Sequence, residues 1–153
     1  MGLQKTEYRD AYVIFHKYFA YGEFLRYMAD NGFATIEMEP SIIAYEKAKE
    51  NGLEVYNCDL SSFLEMKKVF DIINMTNVLE HIPGPVKVLA QCRKLLNKNG
   101  IIRIKVPNAF NELQLEAVKR LGKEEYWVAI ANHVNYFNFE SLTNILECKV
   151  LKL

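Results

Sequence analysis

The stretch Val69-Phe70-Asp71-Ile72-Ile73-Asn74-Met75, followed by Thr76-Asn77-Val78-Leu79-Glu80-His81-Ile82-Pro83, decides the reading of this chain. Its first half is apolar on both faces apart from Asp71 and Asn74. That pattern suits a strand buried inside a parallel sheet, not an amphipathic helix. Its second half turns abruptly polar and ends at a proline, as a strand exit does. Asn77 there offers a side-chain amide to a ligand. His81 is a candidate general base because imidazole titrates near neutrality, although a histidine so near Pro83 also reads as a hydrogen-bonded turn residue.

Working outward, strands and helices alternate. Ala34 to Glu39 predicts a strand and Ser41 to Glu50 a helix, with Ser41 as N-cap and Asn51-Gly52 as its stop. Leu53 to Cys58 predicts a second strand and Ser61 to Lys68 a short helix. Beyond the central stretch, Pro85 to Leu96 reads as a helix with apolar residues at Val86, Leu89, Cys92, Leu95 and Leu96. Asn99-Gly100 reads as a turn into the strand Ile101 to Val106. Asn111 to Leu121 and Glu140 to Glu147 predict helices, and Cys148 to Leu153 alternates like a last strand. This rhythm predicts a Rossmann-like α/β fold, a parallel sheet with helices on both faces.

In such sheets ligands bind beyond the carboxyl ends of the strands. Glu39, before Pro40-Ser41, is a carboxylate that can accept both hydroxyls of a ribose, or a solvated acid favoured by a helix dipole. Asp59, in Cys58-Asp59-Leu60, can accept a proton from an exocyclic amine, or cap the Ser61-Ser62 helix. His133, in Asn132-His133-Val134-Asn135-Tyr136-Phe137, lies in a polar and aromatic stretch that lines a pocket or caps the last helix.

Composition sets bounds on function. The 153 residues suit one domain. With 19 Lys plus Arg against 19 Asp plus Glu, the formal charge is zero, which gives no electrostatic case for nucleic acid or an anionic membrane. No apolar run spans a bilayer and no signal-peptide pattern opens the chain. Three scattered cysteines, Cys58, Cys92 and Cys148, form no C-x-x-C; they fit reduced thiols in the cytoplasm better than disulfides or a metal site, and no metal is expected.

From about residue 20 onward, Glu39-Pro40-Ser41, Cys58-Asp59-Leu60, the run from Phe70-Asp71 through Asn77-Val78-Leu79-Glu80-His81-Ile82-Pro83, Leu95 to Gly100, the exit at Pro107-Asn108 and the stretch from His133 to Phe137 together resemble class I S-adenosylmethionine-dependent methyltransferases. The nearest likeness is to the small-molecule group labelled type 11 or type 23. The resemblance implies roles. Glu39 would bind the cofactor's ribose, Asp59 and Leu60 its adenine, and Thr76 and Asn77 its methionine part. Ala20, Tyr21 and Gly22 would be the tail of the glycine turn that approaches it. His81 would be the catalytic base, with His133 and Tyr136 on the side of a small-molecule methyl acceptor.

The sequence departs from that family at its front. The family opens with a strand ending in D-x-G-x-G-x-G, whereas only Ala20-Tyr21-Gly22 matches its tail here. Tyr8, Tyr12, Phe15 and Phe19 recur at helical spacing, so residues 1–19 read as an N-terminal helix. The first strand and the front of the glycine turn then read as missing, as does the last strand. The alternative makes Tyr12 to Phe15 a four-residue strand, with His16 replacing the family's Asp and Tyr18 a glycine. On this reading the chain is a single domain, with the cofactor-binding core at residues 20–108 and the substrate-side segment, last helix and strand at 109–153.

Overall fold

The computed structural model of the protein describes residues 11–16, 22–129 and 131–147. Five strands form one sheet in the order β3-β2-β1-β4-β5: β1 Ala11–His16, β2 Ala34–Met38, β3 Val55–Tyr56, β4 Phe70–Thr76 and β5 Leu96–Lys105. Between them run α1 Glu23–Asp30, α2 Ile42–Glu50, α3 Leu60–Glu65 and α4 Pro85–Lys94, followed by α5 Glu112–Leu121 and α6 Phe139–Glu147. β1 pairs in parallel with β2 from Ala11↔Ala34 to Phe15↔Met38, and β2 in parallel with β3 through Glu37↔Val55 and Met38↔Tyr56.

The first strand is therefore present, and the N-terminal helix expected across residues 1–19 is corrected over Ala11–His16. The aromatic residues at helical spacing misled because Ala11-Tyr12-Val13-Ile14-Phe15 is also rich in β-branched and aromatic side chains, which favour a strand once neighbours supply a ladder. Ala20 and Tyr21, and the strand expected over Cys148 to Leu153, lie outside the described residues. A second correction concerns Asn99-Gly100. No turn stands there; β5 starts at Leu96 and runs through both, so α4 ends at Lys94. Gly100 is tightly enclosed in the strand, since a Cβ would lie 3.0 Å from the Phe70 carbonyl oxygen and from Leu96 Cδ2. The strand expected over Leu53 to Cys58 is shorter, only Val55–Tyr56.

The chain gathers into two compact units. One holds residues 11–15, 22–74 and 95–103. Its core includes Leu25, Ala48, Leu53 and Val55, with Tyr45 packed against them. The Phe63 and Phe70 rings stack at 5.8 Å and the Tyr56 ring meets Phe63 edge-on at 5.9 Å. The expectation for the central strand holds: Phe70, Ile73 and Met75 are fully buried. Its polar residues are answered from β5, where Arg103 Nη1 donates to Asn74 Oδ1 at 2.6 Å and Asn97 Nδ2 to Asp71 Oδ1 at 2.6 Å. Hydrogen-bonded partners are what allow such side chains in a buried strand.

The other unit holds residue 16 and residues 75–94, 104–129 and 131–147. A short 3-10 turn, Leu79–His81, follows β4 within it. α5 carries a full capping box, with Asn111 accepting from Gln114 N at 3.0 Å and Gln114 Oε1 accepting from Asn111 N at 3.2 Å. It stops at Gly122 in the left-handed conformation, as its sequence predicts.

Candidate functional site

The first unit carries the acids that follow β2 and β3. Glu39 N donates to Tyr56 O at 3.0 Å, which continues the ladder one residue past β2. Asn57 Nδ2 then donates to the Glu39 and Pro40 carbonyls at 2.9 and 3.0 Å, tying the two strand exits together. The half-buried Glu39 carboxylate accepts from Ser41 N at 2.7 Å. Burial pushes its pKa up, and the Ser41 amide opposes that. Asp59 is exposed and caps α3, accepting from Ser62 N at 2.8 Å. That amide bond holds its carboxyl below the usual carboxylate range. The capping alternative for Asp59 is thus the one present in the fold, and Leu60 begins the helix it caps.

Gly22 is the N-cap of α1 at φ 79°, and a Cβ there would lie 1.9 Å from Leu53 Cδ1. The left-handed backbone favours glycine at this helix start, and a Cβ there would displace the Leu53 side chain. A left-handed glycine opening a helix and an acid at the exit of β2 are kinds of group that can serve a nucleoside ligand at strand ends. The identities of His16 and Tyr18 ahead of it do not match the family's Asp and Gly.

One acid was not signalled by the sequence. Glu37, in the middle of β2, is buried, and its pKa is pushed up to about 7, first by burial and then by the Glu39 charge. No local pattern marked it, because a buried parallel strand gives no polar face against which an inward acid stands out.

The second unit holds the histidines. Thr76 ends β4. Asn77 takes a left-handed conformation at φ 52°, tolerable for asparagine, with its N–H donating to Lys105 O at 2.8 Å. That sharp reversal starts the turn bearing Glu80 and His81. The turn is stitched to the late polar stretch. Val134 N and Asn135 N both donate to Glu80 O, at 2.9 and 3.0 Å. Asn135 Nδ2 donates to Leu79 O at 3.1 Å and Ile82 O at 2.7 Å. His81 Nδ1 lies 2.5 Å from Asn132 O. A carbonyl only accepts, so Nδ1 carries the proton and Nε2 is the basic nitrogen of the neutral ring. Nε2 sits 3.8 Å from Glu80 Oε1, and both side chains are almost wholly buried.

His133 packs edge-on against His81, ring centres 4.8 Å apart, and against Tyr136 at 5.7 Å. The two histidines and the tyrosine singled out in the sequence therefore form one cluster. Sequence reasoning missed Glu80 and Trp127, which join it. Glu80, His81 and His133 also bring three potential metal-ligand atoms within 4.8 Å of one another, a grouping the cysteine and histidine spacing gave no reason to expect.

A profile described as a methyltransferase domain matches residues 20–148. Two curated relatives are ubiquinone biosynthesis O-methyltransferases. That of Actinobacillus pleuropneumoniae is 30% identical over 71 residues, covering 42% of this chain and 30% of the relative. That of Histophilus somni is 33% identical over 70 residues, covering 41% and 29%. The matched part thus spans less than a third of those proteins. Among solved structures, a SAM-dependent methyltransferase from Archaeoglobus fulgidus superposes with a TM-score of 0.67 at 22% identity, over 91% of this chain and 59% of its own. One from Thermotoga maritima gives 0.60 at 20% identity, over 89% and 60%. The chain belongs to the methyltransferase domain family, whose cofactor is S-adenosylmethionine.

Proposed function

We propose that the protein transfers a methyl group from S-adenosylmethionine to a small-molecule acceptor. The observation that carries this reading is the family match over residues 20–148 on a sheet ordered β3-β2-β1-β4-β5, with an acid following β2. When bound, the cofactor supplies an electrophilic methyl on a sulfonium. Glu39 holds the ribose hydroxyls, Asp59 and Leu60 the adenine, and Thr76 and Asn77 the methionine part. Ala20, Tyr21 and Gly22 contribute to binding it. No helix among the described residues is long and apolar enough to cross a membrane; we assign the protein to the cytoplasm, with neither nucleic acid nor membrane as partner.

The chain's own chemistry is positioning and proton removal. His81 Nε2 takes the proton of the attacking group, while Asn132 O holds Nδ1–H and fixes the ring's orientation. The Glu80 carboxylate beside it stabilises the imidazolium so formed. His133 and Tyr136 face the acceptor.

A second reading is a methyltransferase-like module that has lost cofactor binding. It is favoured by His16 and Tyr18 standing where the family has Asp and Gly. Isothermal titration with S-adenosylmethionine, S-adenosylhomocysteine and NAD separates the two. Saturable binding of both adenosyl compounds and none of NAD is expected; no adenosyl binding by folded protein would establish the second reading.

A further inference from the structure

Among the described residues, three buried side-chain polar atoms have no hydrogen-bond partner: Glu80 Oε2, Trp127 Nε1 and Tyr136 OH. All three residues line one cavity in the second unit, together with Ala109, His133 and Phe137. Its free volume is about 10 Å³, close to the space one water-sized group needs. Buried polar atoms are rarely left unpaired, and three on residues that line one small cavity point to an occupant that pairs them.

The three atoms restrict what that occupant is. An indole N–H only donates, a carboxylate oxygen accepts, and a phenol does both. The occupant must therefore offer a lone pair to Trp127 and a proton to Glu80. An ammonium group has no lone pair for Trp127. A metal ion has none either, although Glu80, His81 and His133 could approach one. An ether oxygen has no proton for Glu80. A hydroxyl group has both.

The walls are held in place. Glu80 is fixed through its own carbonyl by the Val134 and Asn135 amides. Phe110 adopts φ 57°, a left-handed conformation uncommon for an aromatic residue. Its ring stands edge-on to Trp127 at 6.0 Å and to Tyr136 at 5.8 Å. Strain of this kind persists where the surroundings enforce it, often at ligand sites.

We propose that the Glu80–Trp127–Tyr136 cavity is the subsite that anchors the methyl acceptor by a hydroxyl group. This rests on the methyltransferase reading and adds the acceptor's chemical class to it. The chain contains a single tryptophan, so Trp127 emission reports on the cavity directly. The test titrates the full chain with cyclohexanol, cyclohexylamine and methoxycyclohexane, with no cofactor present. Cyclohexanol should shift the emission saturably, and the amine and the ether should bind at least about tenfold more weakly. Tyr136→Phe should weaken cyclohexanol several-fold and leave the amine unchanged, with circular dichroism checking the fold. Ligand-observed NMR on the same probes gives a second readout on the unaltered chain.

Absence of any saturable cyclohexanol response would mean a resident water only and would overturn the proposal. Preference for the amine would overturn it in favour of a cation pocket. Saturable zinc chloride binding that displaces cyclohexanol would replace it with a metal site. Failure of the S-adenosylmethionine titration removes the methyltransferase reading and leaves this measurement untouched. Failure here beside ordinary cofactor binding removes only the subsite.

Discussion

The exits of β2 and β3 in one unit and the turn at Leu79–His81 in the other both carry acids, and they treat them in opposite ways. Glu39 and Asp59 are met by backbone amides a few residues further on, Ser41 N and Ser62 N, and Asp59 is exposed to solvent. Glu80 is buried, its carbonyl tied down and one carboxylate oxygen unpaired among the described residues. The first arrangement stabilises local structure and leaves acids at hand for a polar ligand. The second costs stability, since an unpaired buried acceptor forfeits its hydration. On the function proposed above, the buried acid with an unpaired oxygen belongs to where chemistry is done, and the capped acids at the strand exits to where the cofactor is held.

The strongest way to break this contrast is His81→Ala. Loss of the base should lower methyl transfer to a hydroxyl-bearing acceptor by about 10²–10⁴-fold, with the histidine's limb gone from the pH–rate profile. The S-adenosylmethionine affinity should change little. An unchanged rate and pH profile would make the Glu80–His81 pair structural and erase the distinction between the two regions.

Glu37 sharpens the contrast from the other side, because it is a buried acid to which no function is assigned. Its pKa in the fold, about 7, stands above the ordinary 4.5. The folded protein therefore holds this proton more tightly than the unfolded chain. Stability is fully present below about pH 4.5 and is lost as pH rises through 7. The shift corresponds to about 3 kcal/mol. Glu37→Gln should stabilise the protein by up to that amount at pH 8 and by almost nothing at pH 4, as read by urea unfolding at the two values. Equal effects at both would show that the Glu37 pKa is the same in the folded and unfolded states.

The two regions also differed in how well the sequence revealed them. The central strand was plain, because Phe70, Ile73 and Met75 leave it no polar face, and its exit residues were plain with it. Glu39 and Asp59 stood out because they follow short apolar runs. β1 was obscured: Tyr12 and Phe15 satisfy helical spacing and strand propensity alike, and only pairing with β2 decides between them. Glu80 and Trp127 were not legible as site residues. Their roles depend on the late stretch around Asn135 folding back onto the turn at Leu79–His81, a contact more than fifty residues apart in sequence that no local pattern encodes.

Glu39→Ala probes the holding side. The carboxylate is half-buried and already aligned by Ser41, so its removal should weaken S-adenosylmethionine binding by roughly 1–3 kcal/mol, the scale of leaving a ligand's hydroxyls unpaired. Calorimetry on the variant measures this directly. Unchanged affinity would mean that Glu39 serves only the Pro40-Ser41 turn.

The smallest effect, and the finest test of the contrast, is at Asp59. Its side chain caps α3, and the Ser62 amide holds its carboxyl below the usual range. A depressed pKa contributes stability that is present above the unfolded value and lost as pH falls through the folded one. Asparagine also caps well, so Asp59→Asn should keep the melting temperature within a few degrees at neutral pH, whereas Asp59→Ala should lower it measurably. The two variants separate capping from recognition. If Asp59 serves the cofactor's adenine by accepting its amine proton, Asn keeps an acceptor oxygen and most of the affinity, while Ala loses both cap and affinity. If Asp59 is only a cap, Asp59→Ala lowers the melting temperature and leaves cofactor affinity unchanged once measured well below the transition. A variant that kept its melting temperature but lost the cofactor would show an acid held for binding alone, and would place Asp59 with Glu80 among the residues whose position serves chemistry before stability.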